Sequence, residues 1–423
     1  MDILPVRRAV LALILTSLAA PAAGAQRVIR LPEQDRPLSG RVPTVFTIGA
    51  MEGRSWEMLS NADQAVFDRD DNLYVLDRGN ARVLMFDRAG RFVRQLGRKG
   101  GGPGELEVPV SVAVLTSGVV AVLDLAHQNV SLFGADGRFV RTVPWNREWG
   151  MPGRQFQGEP RSGALVMVRP GLNPEALRAG SAPRTQALMR MPLLDGSTAR
   201  RLLEIPDVSV VQSSGNEQGG QRTVRMRMLG PPEFSPLTLW GVLEGGSVAL
   251  THTHLYTVKL FDINGRPVLV MQRPVRVRRP TARDRERARQ RLREQLQSGR
   301  GMVMVTRRQG PGGGGAPPRG GGPGLSREQI EERVREMQFA DTVRAIQGMT
   351  VSPRGKLWVE RTPASIGDPG PVDILMSSGQ YMGTVTGLRL PEAISVTGRA
   401  VWLERDDDDV ERVVVRQLPP GWF

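Results

Sequence analysis

Residues 64–97 read QAVFDRDDNLYVLDRGNARVLMFDRAGRFVRQLG, and residues 111–145 repeat the theme as SVAVLTSGVVAVLDLAHQNVSLFGADGRFVRTVPW. Each copy holds four short apolar runs parted by turn residues, the length of one four-stranded sheet. A glycine-rich linker, RKGGGPGELEVP (98–109), joins them. Self-similarity at this period predicts a repeat architecture, so the number of further copies decides the fold.

Six segments align without a gap on an apolar run, a turn and a second apolar run. They are AVFDRDDNLYVLD (65–77), VAVLTSGVVAVLD (112–124), QGEPRSGALVMVR (157–169), WGVLEGGSVALTH (240–252), MTVSPRGKLWVER (349–361) and AISVTGRAVWLER (393–405). The turn carries Asp71, Gly118, Gly163, Gly246 and Gly355, with Gly398 one place earlier in the last copy. Beyond it, Leu73, Val120, Leu165, Val248, Leu357 and Val401 are apolar, and so are Val75, Val122, Met167, Leu250, Val359 and Leu403 two places on. That is strand periodicity. The places between hold Tyr74, Ala121, Val166, Ala249, Trp358 and Trp402, so both faces of each strand are apolar. An isolated antiparallel sheet wets one face, whereas sheets stacked around an axis bury both.

Third and fourth strands follow in LMFDRAGRFVRQL, VSLFGADGRFVRTV, KLFDINGRPVLVM and ILMSSGQYMGTV, and more weakly in ALMRMPLLDGSTARRLLEI. The last copy stops after 410–418, its third strand. The segment VPTVFTIG (42–49) has no neighbouring partner and is expected to supply the missing fourth. A ring closed by strands from both termini leaves no open edge between first and last blade. The expected fold is therefore an all-β, six-bladed β-propeller closed by an N-terminal strand. The run DNLYVLDRGNARVLMFDRAGRFVRQLG, with GGGPGEL and VPVSVAV after it, resembles NHL-type repeats of six-bladed propellers. The resemblance is close over 63–145 and looser over 237–274 and 348–418. It implies a fold shared by lactonases, an amidating-enzyme lyase and many non-catalytic binding scaffolds, and fold alone does not choose among them.

The expected organisation places a leader at 1–25, an extended polar lead-in at 26–41 and the propeller at 42–423. The leader is read from Arg7 and Arg8, the apolar run 9–20 and the small-residue site Ala23-Gly24-Ala25. No later stretch approaches the length of a membrane-spanning helix. The chain is expected to be periplasmic or secreted, and monomeric. Between blades 4 and 5, an insertion at 275–346 is expected to be helical and of low complexity. Ala288, Leu292 and Leu296 form one stripe, Ser326 with Gln329 a capping box, and Ile330, Val334 and Met337 a second stripe. The Gly/Pro tract at 299–325 cannot bury a core. These helices are expected to sit as a lid beside the propeller mouth and to offer arginines to an acidic partner; a solvated arm is the alternative.

The 423 residues carry a formal charge of +14. Of 57 basic residues only Lys99, Lys259 and Lys356 are lysines, a skew that reads as codon bias as readily as a phosphate footprint, and no nucleic acid is expected. With no cysteine there is neither a disulfide framework nor a thiolate metal site.

The last aligned place holds Asp77, Asp124, Arg169, His252, Arg361 and Arg405, on the face where the blade-to-blade crossovers lie. This ring is the candidate ligand site. Its three arginines suit a carboxylate or phosphate, implying an anionic small molecule or acidic peptide. The opposing reading makes them structural, since Asp77 and Asp124 match the Asp of the family's YVxD pattern. His252 and His254 alternate and invite a metal, but three histidines and no cysteine make a poor donor set, and no metal or cofactor is expected. The run Asp406–Asp409 reads as a solvated loop offsetting nearby arginines. The 98–104 glycines lack a Gly-Lys-Ser/Thr ending, so no phosphate loop is read there. The expected function is a non-catalytic exported binding scaffold; the alternative is a metal-dependent lactonase- or lyase-like hydrolase.

Overall fold

The computed structural model describes residues 26–145, 156–159, 163–169, 185–193, 198–206, 210–218, 221–297, 325–365 and 367–423, with the backbone alone given over 210–230. The leader expected at 1–25 and most of the Gly/Pro tract lie outside these residues. Among the described residues six blade sheets are present, five of four strands and one of five, and five of the six are built on four consecutive strands. In the sixth, Thr44–Ile48 pairs antiparallel with Glu411–Gln417, setting Phe46 against Val415 and Ile48 against Val413. The first strand of each sheet touches that of the next in an unbroken cycle, the sixth returning to Ala62–Phe67. The chain is a six-bladed β-propeller.

The aligned turns explain why the copies fold alike. Asp71, Gly118, Gly163, Gly246, Gly355 and Gly398 all adopt positive φ, between 62° and 85°. Glycine enters that region without a Cβ penalty, and Asp is among the few other residues that tolerate it. On the second strands, Leu73, Val75, Val122, Leu165, Leu357, Val359 and Val401 are shielded from solvent, as are the interleaved Tyr74, Ala121, Val166, Ala249, Trp358 and Trp402. Both faces are buried because each blade stacks on two others.

The lead-in does more than the sequence suggests. Arg27–Arg30 adds a fifth strand to blade 4, running parallel to its outer strand with Val28 opposite Val270. The chain then crosses to the outer strand of blade 5, where Leu38 N–H donates to Thr384 O at 2.8 Å and Thr384 N–H donates to Arg36 O at 2.8 Å. Only afterwards does it complete blade 6. This N-terminal strap thus engages three consecutive blades from outside.

A buried charge cluster pins the strap between blades 4 and 5. Arg273 Nη1 and Asp373 Oδ1, both shut off from solvent, stand 2.7 Å apart in an ion contact whose N–H is not aligned for a hydrogen bond. Arg361 Nη2 reaches Asp35 Oδ2 of the strap at 2.7 Å and its Nε lies 3.4 Å from Asp373. Thr384 Oγ1 donates to Asp373 at 2.6 Å, and Arg273 stacks 4.8 Å from the Tyr381 ring centre. Partial burial disfavours the Asp35 carboxylate, but Arg361 and Arg273 outweigh it and hold its pKa below the usual range. Burial drives the Tyr256 phenol well above its usual range, with Asp373 adding to the effect.

Two arginines and two carboxylates balance here, so removing one partner strands a charge. Asp373→Asn is expected to cost about 3–5 kcal/mol, the usual toll for breaking a buried pair. Asp35→Asn, at a half-exposed position, should cost about 1–3 kcal/mol. Denaturant unfolding of the two variants checks the order; equal stability of Asp373→Asn and wild type would contradict the cluster's role.

Candidate functional site

Strands alternate direction within a blade, so second-to-third-strand turns and blade-to-blade crossovers share one face, the mouth. Two large crossovers build it. Between blades 3 and 4 lies a two-stranded hairpin, Val210–Gln218 with Gln221–Gly230, which the sequence did not announce. Between blades 4 and 5 stand helices α1 (Ala282–Gln297) and α2 (Arg327–Arg335). The capping box of Ser326 and Gln329 is formed, and Ile330 and Val334 are buried as their spacing implies.

The helices are docked. Arg293 on α1 meets Glu331 on α2 at 2.9 Å. Ala288 joins Phe234 and Val343 in a small core with Met337, Phe339 and Ala340. Arg291 contacts Glu233 at 3.4 Å, and Arg278 Nη2 donates to Ala364 O in the blade 5 turn at 3.1 Å. Along the α1 side, Arg276, Arg279, Arg283 and Arg285 remain exposed, and none forms an ion pair among the described residues. Arg285 lies 5.8 Å from the Phe339 ring centre.

The six predicted ring residues all fall at or just past the ends of second strands. Asp77 is wholly buried, accepting from Ser60 N, Asn80 Nδ2 and Arg82 Nε at 2.8, 2.9 and 2.7 Å. Asp124, equally buried, accepts from the backbone of Glu107, Ala126 and His127 at 2.6, 2.9 and 3.2 Å. Both carboxylates tie the incoming crossover to the turn that follows. Arg169 is half-buried opposite Ala187. His252 Nδ1 meets Thr238 Oγ1 at 2.8 Å, and Thr238 donates to Gln186 of blade 3. Arg361 belongs to the strap cluster, while Arg405 pairs with Asp409 at 3.0 Å and with Glu411.

Other sequence expectations meet local facts. The strand before His252 ends at Thr251, so His252 and His254 sit in a turn instead of sharing a strand face. Among the described residues, no three His, Asp or Glu side chains gather to hold a metal ion. In the acidic run, Asp406 accepts from Val410 N at 2.9 Å and Arg412 Nε at 2.8 Å, which holds its carboxyl below the usual range. The run offsets Arg405 and Arg412, and Arg361 finds its carboxylates elsewhere. In the glycine-rich crossover, Gly102 N–H donates to Glu105 at 2.8 Å, so a built-in carboxylate takes the amide.

The sequence reading missed two groups at the mouth. Glu392 precedes the first strand of blade 6 and faces Asp63 on the first strand of blade 1, itself 3.2 Å from Arg78. Solvent reaches Glu392, yet protein surrounds it; burial pushes its carboxyl up to about 7, and the Asp63 charge adds to the rise. Nothing local in PEAIS marks it, because the partner lies at the far end of the chain. Arg344, just before the first strand of blade 5, is the second. Burial lowers its pKa, Glu233 opposes the change and Arg291 adds to it.

A family model described as a 6-bladed beta-propeller matches residues 58–146. No curated protein matches the chain in sequence. Among solved structures, a protein of Bacteroides fragilis NCTC 9343 named only as exported is 12% identical, with a TM-score of 0.49, covering 93% of this chain and 99% of that one. A gluconolactonase from Xanthomonas campestris is 14% identical at a TM-score of 0.40, covering 90% and 89%. A virginiamycin B lyase from Staphylococcus aureus is 9% identical at 0.40, covering 86% and 84%. No helix among the described residues is long and apolar enough to cross a membrane.

A raised carboxyl pKa means the folded state holds a proton that the unfolded state releases. Stability from this group is full below about pH 4.5 and falls as pH climbs through about 7. Glu392→Gln should therefore flatten that part of the stability profile and be the more stable protein above neutrality. Denaturation midpoints of both proteins across this range test it; parallel curves would refute the shift.

Proposed function

We propose that this chain is an exported, periplasmic or secreted propeller of NHL type that binds an anionic ligand at its mouth without catalysis. The observation that carries the reading is the row of exposed arginines, Arg276, Arg279, Arg283 and Arg285, on the mouth-side insertion, which form no ion pair among the described residues. Like charges carried on one exposed segment repel one another, and an acidic partner relieves that repulsion. The reading keeps the face chosen from sequence. It moves anion contact from Arg361 and Arg405, which have carboxylate partners, to the insertion.

An acidic peptide such as oligoglutamate is the probe. Replacing the four arginines by glutamine should weaken binding about tenfold or more and reduce its dependence on salt. Calorimetric titration at two ionic strengths reads both effects, and unchanged affinity removes the reading.

One observation favours a second reading, a hydrolase of the same fold: the Glu392 carboxyl on the mouth side, its pKa raised to about 7, suits proton transfer. The metal such a hydrolase would need does not fit the donors seen, since Asp63 and Glu392 lack a third partner among the described residues. No metal-borne step is assigned. Lactone hydrolysis abolished in Glu392→Gln would establish this reading, and the same rate in both proteins would end it.

A further inference from the structure

Beneath the helical insertion, two hydrogen bonds of Ala345 join three chain segments. Ala345 N–H donates to His254 O at 2.8 Å, and Thr362 N–H donates to Ala345 O at 2.9 Å. Around this junction three buried polar atoms have no hydrogen-bond partner among the described residues: His254 Nδ1, Arg344 Nε and Thr362 Oγ1. Native interiors leave few such atoms, and each calls for an explanation. Among the described residues the Arg344 guanidinium donates through Nη1 to Ser235 O at 3.2 Å, while its Nε meets no partner. Glu233 is the carboxylate near it, and Arg291 of α1 already shares that charge at 3.4 Å. Two arginines to one carboxylate, with a histidine beside them, leave the junction short of negative charge.

We propose that this junction is an oxyanion subsite in which a carboxylate or phosphate group of the ligand accepts hydrogen bonds from Arg344 and His254, with the Thr362 hydroxyl as a further donor. The proposal rests on the anion-binding reading and deepens it: the exposed arginines attract the partner, and this subsite orients one acidic group. Arg344 offers the planar fork that grips two oxygens at once, which a lysine ammonium does not. Burial lowers the His254 pKa, the Thr342 carbonyl opposes this and the Arg344 charge adds to it. A bound anion favours the imidazolium. By linkage, affinity must then rise as pH falls. The charged or titratable groups facing His254 and Arg344 are each other, Glu233 and Arg291.

Sulfate is the probe, because its charge is constant over this range while that of phosphate changes. The full-length protein is titrated with sulfate against chloride at matched ionic strength, at about pH 5.5 and about pH 8, following thermal stability. Saturable stabilisation by sulfate alone, stronger at the lower pH, is expected. Arg344→Gln should weaken it about tenfold or more, and Arg344→Lys should restore only part. His254→Gln, a milder change should Arg344→Gln fold poorly, should abolish the pH dependence. Equal stabilisation by chloride, or sulfate binding indifferent to Arg344 and His254, overturns the subsite. If oligoglutamate still binds through the outer arginines in that case, the wider reading survives; if neither anion binds, both fall.

Discussion

The antiparallel pairing of Thr44–Ile48 with Glu411–Gln417 is the contact on which the rest hangs. Without it blade 6 ends at its third strand, and Val413 and Val415, now fully buried, face water. The inner strands then have no reason to meet around one axis. Every position assigned to the mouth follows from that closure. The second-strand ends, the crossovers and the insertion are neighbours only because six units share a centre.

Inside the ring, polar atoms do work that apolar faces cannot. Gln64 Oε1 accepts from Val112 N at 2.8 Å and from Ser111 Oγ at 3.1 Å, which in turn accepts from Phe156 N. Gln157 Oε1 accepts from Val242 N at 2.9 Å, and Thr350 Oγ1 donates to Pro391 O at 2.7 Å. These bonds step from blade 1 to 2, 2 to 3, 3 to 4 and 5 to 6. Hydrophobic burial sets no register between stacked blades, since it is non-directional. A buried donor left unpaired costs about 1–3 kcal/mol, so a blade that slips pays heavily. The ring thereby fixes where Asp63 and Glu392 stand.

What the sequence disclosed and what it hid divide along a physical line. Anything written into a single repeat was legible: the positive-φ turns at Asp71 through Gly398, strands apolar on both faces, and the Ser326–Gln329 cap. Contacts between distant stretches were not. RVIR at 27–30 gives no hint of its place, because a parallel pairing has no hairpin turn to signal it. VVQSSGNEQ lacks the alternation that marks a half-buried strand, so the hairpin at 210–230 passed unread. The ring was found as a set of positions, but its partners were invisible. Arg361 answers to Asp35, and Asp77 to Ser60 and Arg82. Arg344 and Glu392 were missed for the same reason, since their chemistry comes from neighbours far away in the sequence.

The strap has a bearing on how the molecule reaches its native state. Residues 27–48 can find their strands only after blades 4, 5 and 6 exist, so this stretch is seated after segments that follow it far along the chain. Contacts of such sequence separation slow folding, since a long loop must close before anything is gained. Until then the outer edge of blade 6 is an open template. A second molecule's strap fits it equally well, and at high concentration the route to exchange-linked dimers is open.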